Sequence, residues 1–188
     1  PDYELRFWNE SNSPIDSPFP QTAYEAKKYA FVADYVRTWA LNKFGGLYFD
    51  TDVLVIKPFT PSLLNSDGFL AYEQEEKLYV NVAVPNSKLT NKVLNFYNNN
   101  VFDNNNIFKL AIPIIVTDIL KSDSFDNLLV LDYDYFYPFP QKKRRTNKYM
   151  KYVTDNTLAV HLWDFSWLTF KERVIEHLKM FKRFCGLK

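Results

Sequence analysis

Cysteine is nearly missing from this 188-residue chain, which carries only Cys185. One thiol excludes an internal disulfide framework and any cysteine-built zinc site, and it suits a reducing compartment. Long hydrophobic runs are lacking too: 47% of residues are hydrophobic, yet the apolar stretches fall well short of a membrane span. Neither sign of charge dominates, with 23 basic and 22 acidic side chains, so nothing draws the chain as a whole toward nucleic acid. The short basic run KKRR at 142–145 is expected to be a solvated turn. Glycine is scarce, 4 in all, but Gly45 and Gly46 stand side by side just ahead of Asp50 and Asp52. Length and composition favour one soluble domain over residues 1–188 with a sizeable core. No signal peptide is visible, and the start at Pro1 is expected to reflect a processed or truncated beginning.

Along the chain the hydrophobic period changes repeatedly. YELRFW alternates as a short strand does, and NESNSP breaks it with turn formers. From Thr22 a helix is expected, with Ala30, Ala33, Val36, Ala40, Leu41 and Phe44 on one face. Thr22 is its expected N-cap and Gly45 its left-handed stop. LYFD and VLVI then form two strand segments interrupted at the aspartates, with Pro58 closing the second. GFLAYE and YVNVAVP are further strands, followed by a helix over 86–98. IPIIVTDIL fits a helix or a buried strand, LLVLDYDYFYPFP a strand running into a loop, and TLAVHLW a last strand. An amphipathic helix is expected over 169–182. Its basic residues with Phe181 and Phe184 permit peripheral membrane contact, although core packing is the stronger expectation. Strands alternating with helices predict an α/β domain around a mostly parallel central sheet.

The chemistry concentrates at YFDTDV, where two aspartates interrupt a run of strand formers. Two carboxylates one residue apart at a bend can enter one crevice and offer hard oxygen ligands to Mn²⁺ or Mg²⁺. An ion held by so few carboxylates completes its shell with water and substrate phosphates, which suits a nucleoside diphosphate leaving group. Gly46 allows close backbone approach, and Thr51 can orient a carboxylate. An exposed turn would carry the same triplet. On the preceding helix Asp34 and Arg37 share a face; they are either a clamp for ribose hydroxyls and phosphate or a surface ion pair of little worth.

KKYAFVADYVRTWALNKFGGLYFDTDVLVIKPF resembles the sugar-transferring region of glycosyltransferase family 32, whose DXD enzymes are related to capsule and lipopolysaccharide sugar transferases, yeast mannosyltransferases and clostridial glucosylating toxins. The match to the family pattern runs from Ala30 to Asp52. The resemblance implies a GT-A fold and a retaining hexosyltransferase moving sugar from a nucleotide-sugar, UDP favoured over GDP, to a saccharide or glycolipid acceptor. It implies that Asp50 contacts ribose and metal, that Asp52 holds the metal, and that Asp34 and Arg37 bind the donor, with Gly46 and Tyr48 shaping the site. Asn81 in VNVAV corresponds to an asparagine near the acceptor. Ile112-Pro113 stands where a Gly-Pro pair is common, which leaves the acceptor wall open. AVHLWDFSW resembles the C-terminal segment of the family, with His161, Ser166 and Trp167 matching. His161 is then either a cap for metal or diphosphate, as a neutral imidazole can be, or a satisfied core histidine. Trp163 and Trp167 are expected to pack rather than to form sugar platforms. Members of the family begin with a strand that helps line the base pocket, so this chain is expected to lack its first strand. The resemblance places the activity in surface polysaccharide or glycan synthesis in the cytoplasm or at the inner membrane face.

Two other classes compete. A haloacid dehalogenase-type phosphatase would use Asp50 as nucleophile at the end of a hydrophobic strand, but its motif should open the first strand. A catalytically degenerate domain that only binds carbohydrate would draw on the 18% aromatic residues, against which stand intact Asp50, Asp52 and Arg37.

Overall fold

The computed structural model describes residues 3–74, 77–81, 88–146 and 148–164. The helix expected from Thr22 is two helices, α1 (Pro18–Glu25) and α2 (Tyr29–Phe44). Lys27 breaks them apart with a φ of 58°. Its N–H bonds the Tyr24 carbonyl at 2.8 Å and that of Lys28 bonds the Ala23 carbonyl at 2.9 Å. This is a helix stop of the Schellman type built on lysine, where glycine is the usual signal. Thr22 is therefore no N-cap: its hydroxyl donates to the Pro18 carbonyl one turn back and accepts from the Phe102 amide. Gly45 does end α2, at a φ of 69° with its N–H on the Leu41 carbonyl.

Beyond Gly46 the chain forms neither helix nor paired strand through residue 50, so LYFD is not a strand; β1 (Val53–Val55) begins only after the aspartates. α3 (Pro61–Leu64), β2 (Gly68–Gln74), β3 (Lys77–Asn81) and α4 (Lys88–Asn98) follow. IPIIVTDIL resolves as helix: after α5 (Ile107–Leu110), α6 (Ile112–Ser122) starts with proline in its first turn. β4 (Leu128–Leu131) leads into 3₁₀ turns, which take in the basic run, and β5 (Ala159–His161) closes the described chain. The YELRFW strand does not form either. Leu5 and Phe7 project outward, while Trp8 stacks on Phe44 with ring centroids 5.2 Å apart.

The sheet is mixed rather than mostly parallel. Its order is β3-β2-β4, with β2 parallel to β4 but antiparallel to β3, and β1 and β5 form a separate antiparallel ribbon. A short connection between β2 and β3 permits only antiparallel pairing, whereas the α4–α6 crossover lets β4 return parallel.

β2 divides the interior because alternate side chains leave opposite faces. Leu70 enters a cluster with Phe19, Tyr35, Val93, Tyr97 and Ile115 from the helices. Phe69 and Ala71 face a second cluster with Phe59, Phe136, Tyr137, Val160 and Trp163. No helix among the described residues is long and apolar enough to cross a membrane. The helix expected over 169–182 lies outside the described residues.

Candidate metal and donor site

Both aspartates are aimed by a tight turn, in which the Val53 N–H bonds the Asp50 carbonyl at 3.0 Å. Pairing of Val53 with His161 across the β1–β5 ribbon then sets the imidazole beside them. The Leu162 N–H bonds the Asp52 carbonyl and the Asp164 N–H bonds Asp52 Oδ2, each at 2.8 Å. Trp163, with a φ of 62°, turns the backbone between those two amides. A bulky residue in that region is uncommon, and such conformations cluster at functional sites.

His161 Nε2 lies 3.5 Å from Asp52 Oδ1 and 3.9 Å from Asp50 Oδ2. One ligand atom from each of the three residues fits within a 4.8 Å span. A hard divalent ion with bonds of about 2.1 Å separates its ligand atoms by roughly 3.0–4.2 Å, so both spacings suit one ion. Burial lowers the His161 pKa despite the opposing carboxylates of Asp52 and Asp50, which favours the neutral imidazole a metal requires. The Trp163 N–H donates to Nδ1 at 3.2 Å, which puts the neutral ring's proton on Nε2. Ligation through Nε2 would therefore require the other neutral tautomer, with the proton on Nδ1 and the Trp163 N–H bond given up.

Arg37 forms the other side of Asp50. Its guanidinium is paired with Asp34, its Nη1 donates to Asp50 Oδ1 at 3.2 Å, and it stacks over the Tyr48 ring at 5.1 Å. Tyr48 also donates its hydroxyl to Asp50 Oδ1, at 3.1 Å. Burial pushes the Tyr48 pKa up and Asp50 adds to the rise, so this phenol remains a donor at neutral pH. Burial opposes the Arg37 charge, but Asp34, Tyr48 and Asp50 outweigh it and raise its pKa. Burial raises the Asp34 pKa, against the pull of Arg37 and a hydrogen bond from the Ile112 amide. Asp34 and Arg37 are thus a buried pair and not a surface one, each residue 8% exposed. The Ile112 amide, at the start of α6, is the one that bonds Asp34 of that pair.

Gly46 sits at a φ of 94° between α2 and the aspartate turn. Asn81 lies at the end of β3, opposite Leu70 in the register and away from the turn in sequence. Ser166 and Trp167 lie outside the described residues. Trp163 packs as expected, with its indole N–H on the Phe139 carbonyl at 2.6 Å and its ring 4.4 Å from the His161 ring. Sequence reasoning missed Tyr137, whose ring lies 5.5 Å from that of His161, and the Asp164 amide. The segment LWDFSW was a signal for the amide; Tyr137 had none, being one aromatic among many.

Two carboxylates and an imidazole, with a buried arginine alongside, form a candidate divalent-metal site. Residues 1–70 match a family described as a glycosyltransferase sugar-binding region containing a DXD motif. That match supports a protein of glycosyltransferase kind. It covers α1, α2, the paired glycines, both aspartates and the start of β2, while His161 lies beyond it. No curated protein matches the chain.

Proposed function

We propose that the chain is a metal-dependent retaining glycosyltransferase of the family 32 type, moving a hexose from a nucleotide-sugar to a saccharide or glycolipid acceptor. The observation that carries this reading is the convergence of Asp50 and Asp52, from the DXD-matching segment, with His161 beside a buried Arg37. Asp50, Asp52 and His161 would hold Mn²⁺ or Mg²⁺, which when bound neutralises charge on the departing diphosphate. Arg37 holds Asp50 in place through its Nη1 bond, and its planar donors suit a phosphate oxygen. Asp34 serves the donor by holding Arg37 in that orientation. Tyr48 restrains the same Asp50 oxygen from the opposite edge. Asn81, Ser166 and Trp167 are assigned by resemblance to the acceptor and donor surroundings. UDP is the favoured nucleotide, and surface polysaccharide or glycan synthesis at the cytoplasmic side is the proposed setting. A phosphatase with Asp50 as nucleophile fits less well, because Asp50 precedes β1 and one of its oxygens is occupied by Arg37 and Tyr48.

Calorimetric titration with UDP and GDP, in Mn²⁺ and in EDTA, tests the reading. Metal should strengthen binding at least about tenfold, and Asp52→Asn should abolish the difference while leaving the circular dichroism spectrum unchanged. Equal binding with and without metal refutes it.

A further inference from the structure

Glu73 lies two residues beyond Ala71 on β2, so it shares the strand face that carries Phe69 and Ala71 into the second core cluster. The parallel ladder with β4 runs from Gly68 opposite Leu128 to Ala71 opposite Leu131 and goes no further. Glu73 is therefore just past the carboxyl end of the parallel β2–β4 pair, at the end of a sheet where α/β folds bind ligands. The chain leaving β4 turns through Tyr133–Tyr135 and brings Tyr137 into the core cluster that Phe69 and Ala71 enter from this face of β2. Tyr137 packs on both His161 and Trp163. Glu73 thus shares the β2 face whose cluster includes Tyr137 and Trp163, the two rings that pack on His161.

The Glu73 carboxyl is half-buried, and burial alone raises its pKa, with no compensating cation or hydrogen bond among the described residues. A carboxylate in that position weakens the fold. Its folded pKa is raised above the unfolded value, so ionisation costs stability as pH rises past the unfolded value. A group kept at such a cost is commonly functional.

We propose that Glu73 contacts substrate, accepting hydrogen bonds from the hydroxyl groups of a sugar seated beside the Asp50–Asp52–His161 cluster. The inference rests on the glycosyltransferase reading of that cluster. A half-buried carboxylate acceptor suits vicinal hydroxyls, whose hydrogen bonds to a charged group are stronger than those to a neutral one. The sugar is either the hexose of the donor or the saccharide acceptor.

Glu73→Gln and Glu73→Ala separate these cases. UDP and GDP, which carry no sugar beyond the ribose, should bind both variants with Mn²⁺ as they bind the unaltered protein. If the donor hexose is the partner, affinity for UDP-glucose or GDP-mannose should fall about tenfold or more, as for loss of one hydrogen bond to a charged group. If the acceptor is the partner, donor hydrolysis should be unchanged while KM for a hexose or disaccharide acceptor rises by a similar factor. Glu73→Gln should melt at the same temperature as the unaltered protein or higher, because the ionisation cost is gone. Unchanged behaviour in both arms overturns the inference alone, as does a fall in melting temperature with a parallel loss of UDP binding, which marks a structural role. If the unaltered protein binds neither nucleotide in a metal-dependent way, the underlying reading fails and takes the inference with it.

Discussion

Arg37 grips two carboxylates at once, so its removal separates what holds the fold from what holds the site. The Asp34 and Arg37 side chains are 12% and 9% exposed, whereas that of Asp50 is 36% exposed. Arg37→Met deprives a buried carboxylate of its cation, a change that costs about 3–5 kcal/mol. The contact to Asp50 is screened by solvent and adds only about 0–1 kcal/mol. Asp34→Asn leaves Arg37 charged but still beside Asp50, so it should cost less, about 1–3 kcal/mol. The double variant buries neither charge without its partner, so its cost should not exceed that of Arg37→Met. The expected coupling is about 1–3 kcal/mol. Urea denaturation of all four proteins, followed by circular dichroism in one buffer, measures each term. Arg37 also anchors Asp50, so the double variant should fold yet bind UDP with Mn²⁺ about tenfold more weakly. Costs that add to within about 0.5 kcal/mol would refute the buried pair. So would an Arg37→Met cost below about 1 kcal/mol, which is the behaviour of a surface pair.

Two further substitutions test the supports of the site. Thr157 is fully buried; its hydroxyl donates to the Asp134 carbonyl at 2.8 Å and accepts the Thr154 amide at 2.9 Å, fastening the approach to β5. Thr157→Val should cost about 2–3 kcal/mol, read as a lower urea midpoint, and a shift under about 0.5 kcal/mol would show those bonds to be replaceable. At Gly46, with a φ of 94°, an added Cβ would meet no atom within 4 Å, so only backbone strain opposes Gly46→Ala. That strain is about 1–2 kcal/mol, a fall of roughly 2–8 °C in melting temperature for a domain of this size. An unchanged melting temperature would mean that the turn relaxes.

The sequence by itself determined whatever depends on neighbouring residues. The apolar period of α2, its end at Gly45, the position of the Asp-X-Asp turn and the shared face of Asp34 and Arg37 all follow from spacing within a few turns of chain. The break at Lys27 escaped that logic because the left-handed stop there uses lysine, and the 3.6-residue period resumes on the far side. YELRFW alternates as a strand should, but strand pairing needs a neighbour, and none is present among the described residues. Tertiary structure alone decided that Asp34 and Arg37 are buried, since the same two residues on an uncovered helix would make an exposed pair. It also decided that Asp52 accepts the amide of Asp164, 112 residues away, and that His161 stands beside both aspartates. Those contacts come from the register of β1 against β5, which depends on how the whole chain packs. Glu73 shows the same division, since alternation assigns its face while only the tertiary packing brings Tyr137, which lies against His161, into the cluster on that face.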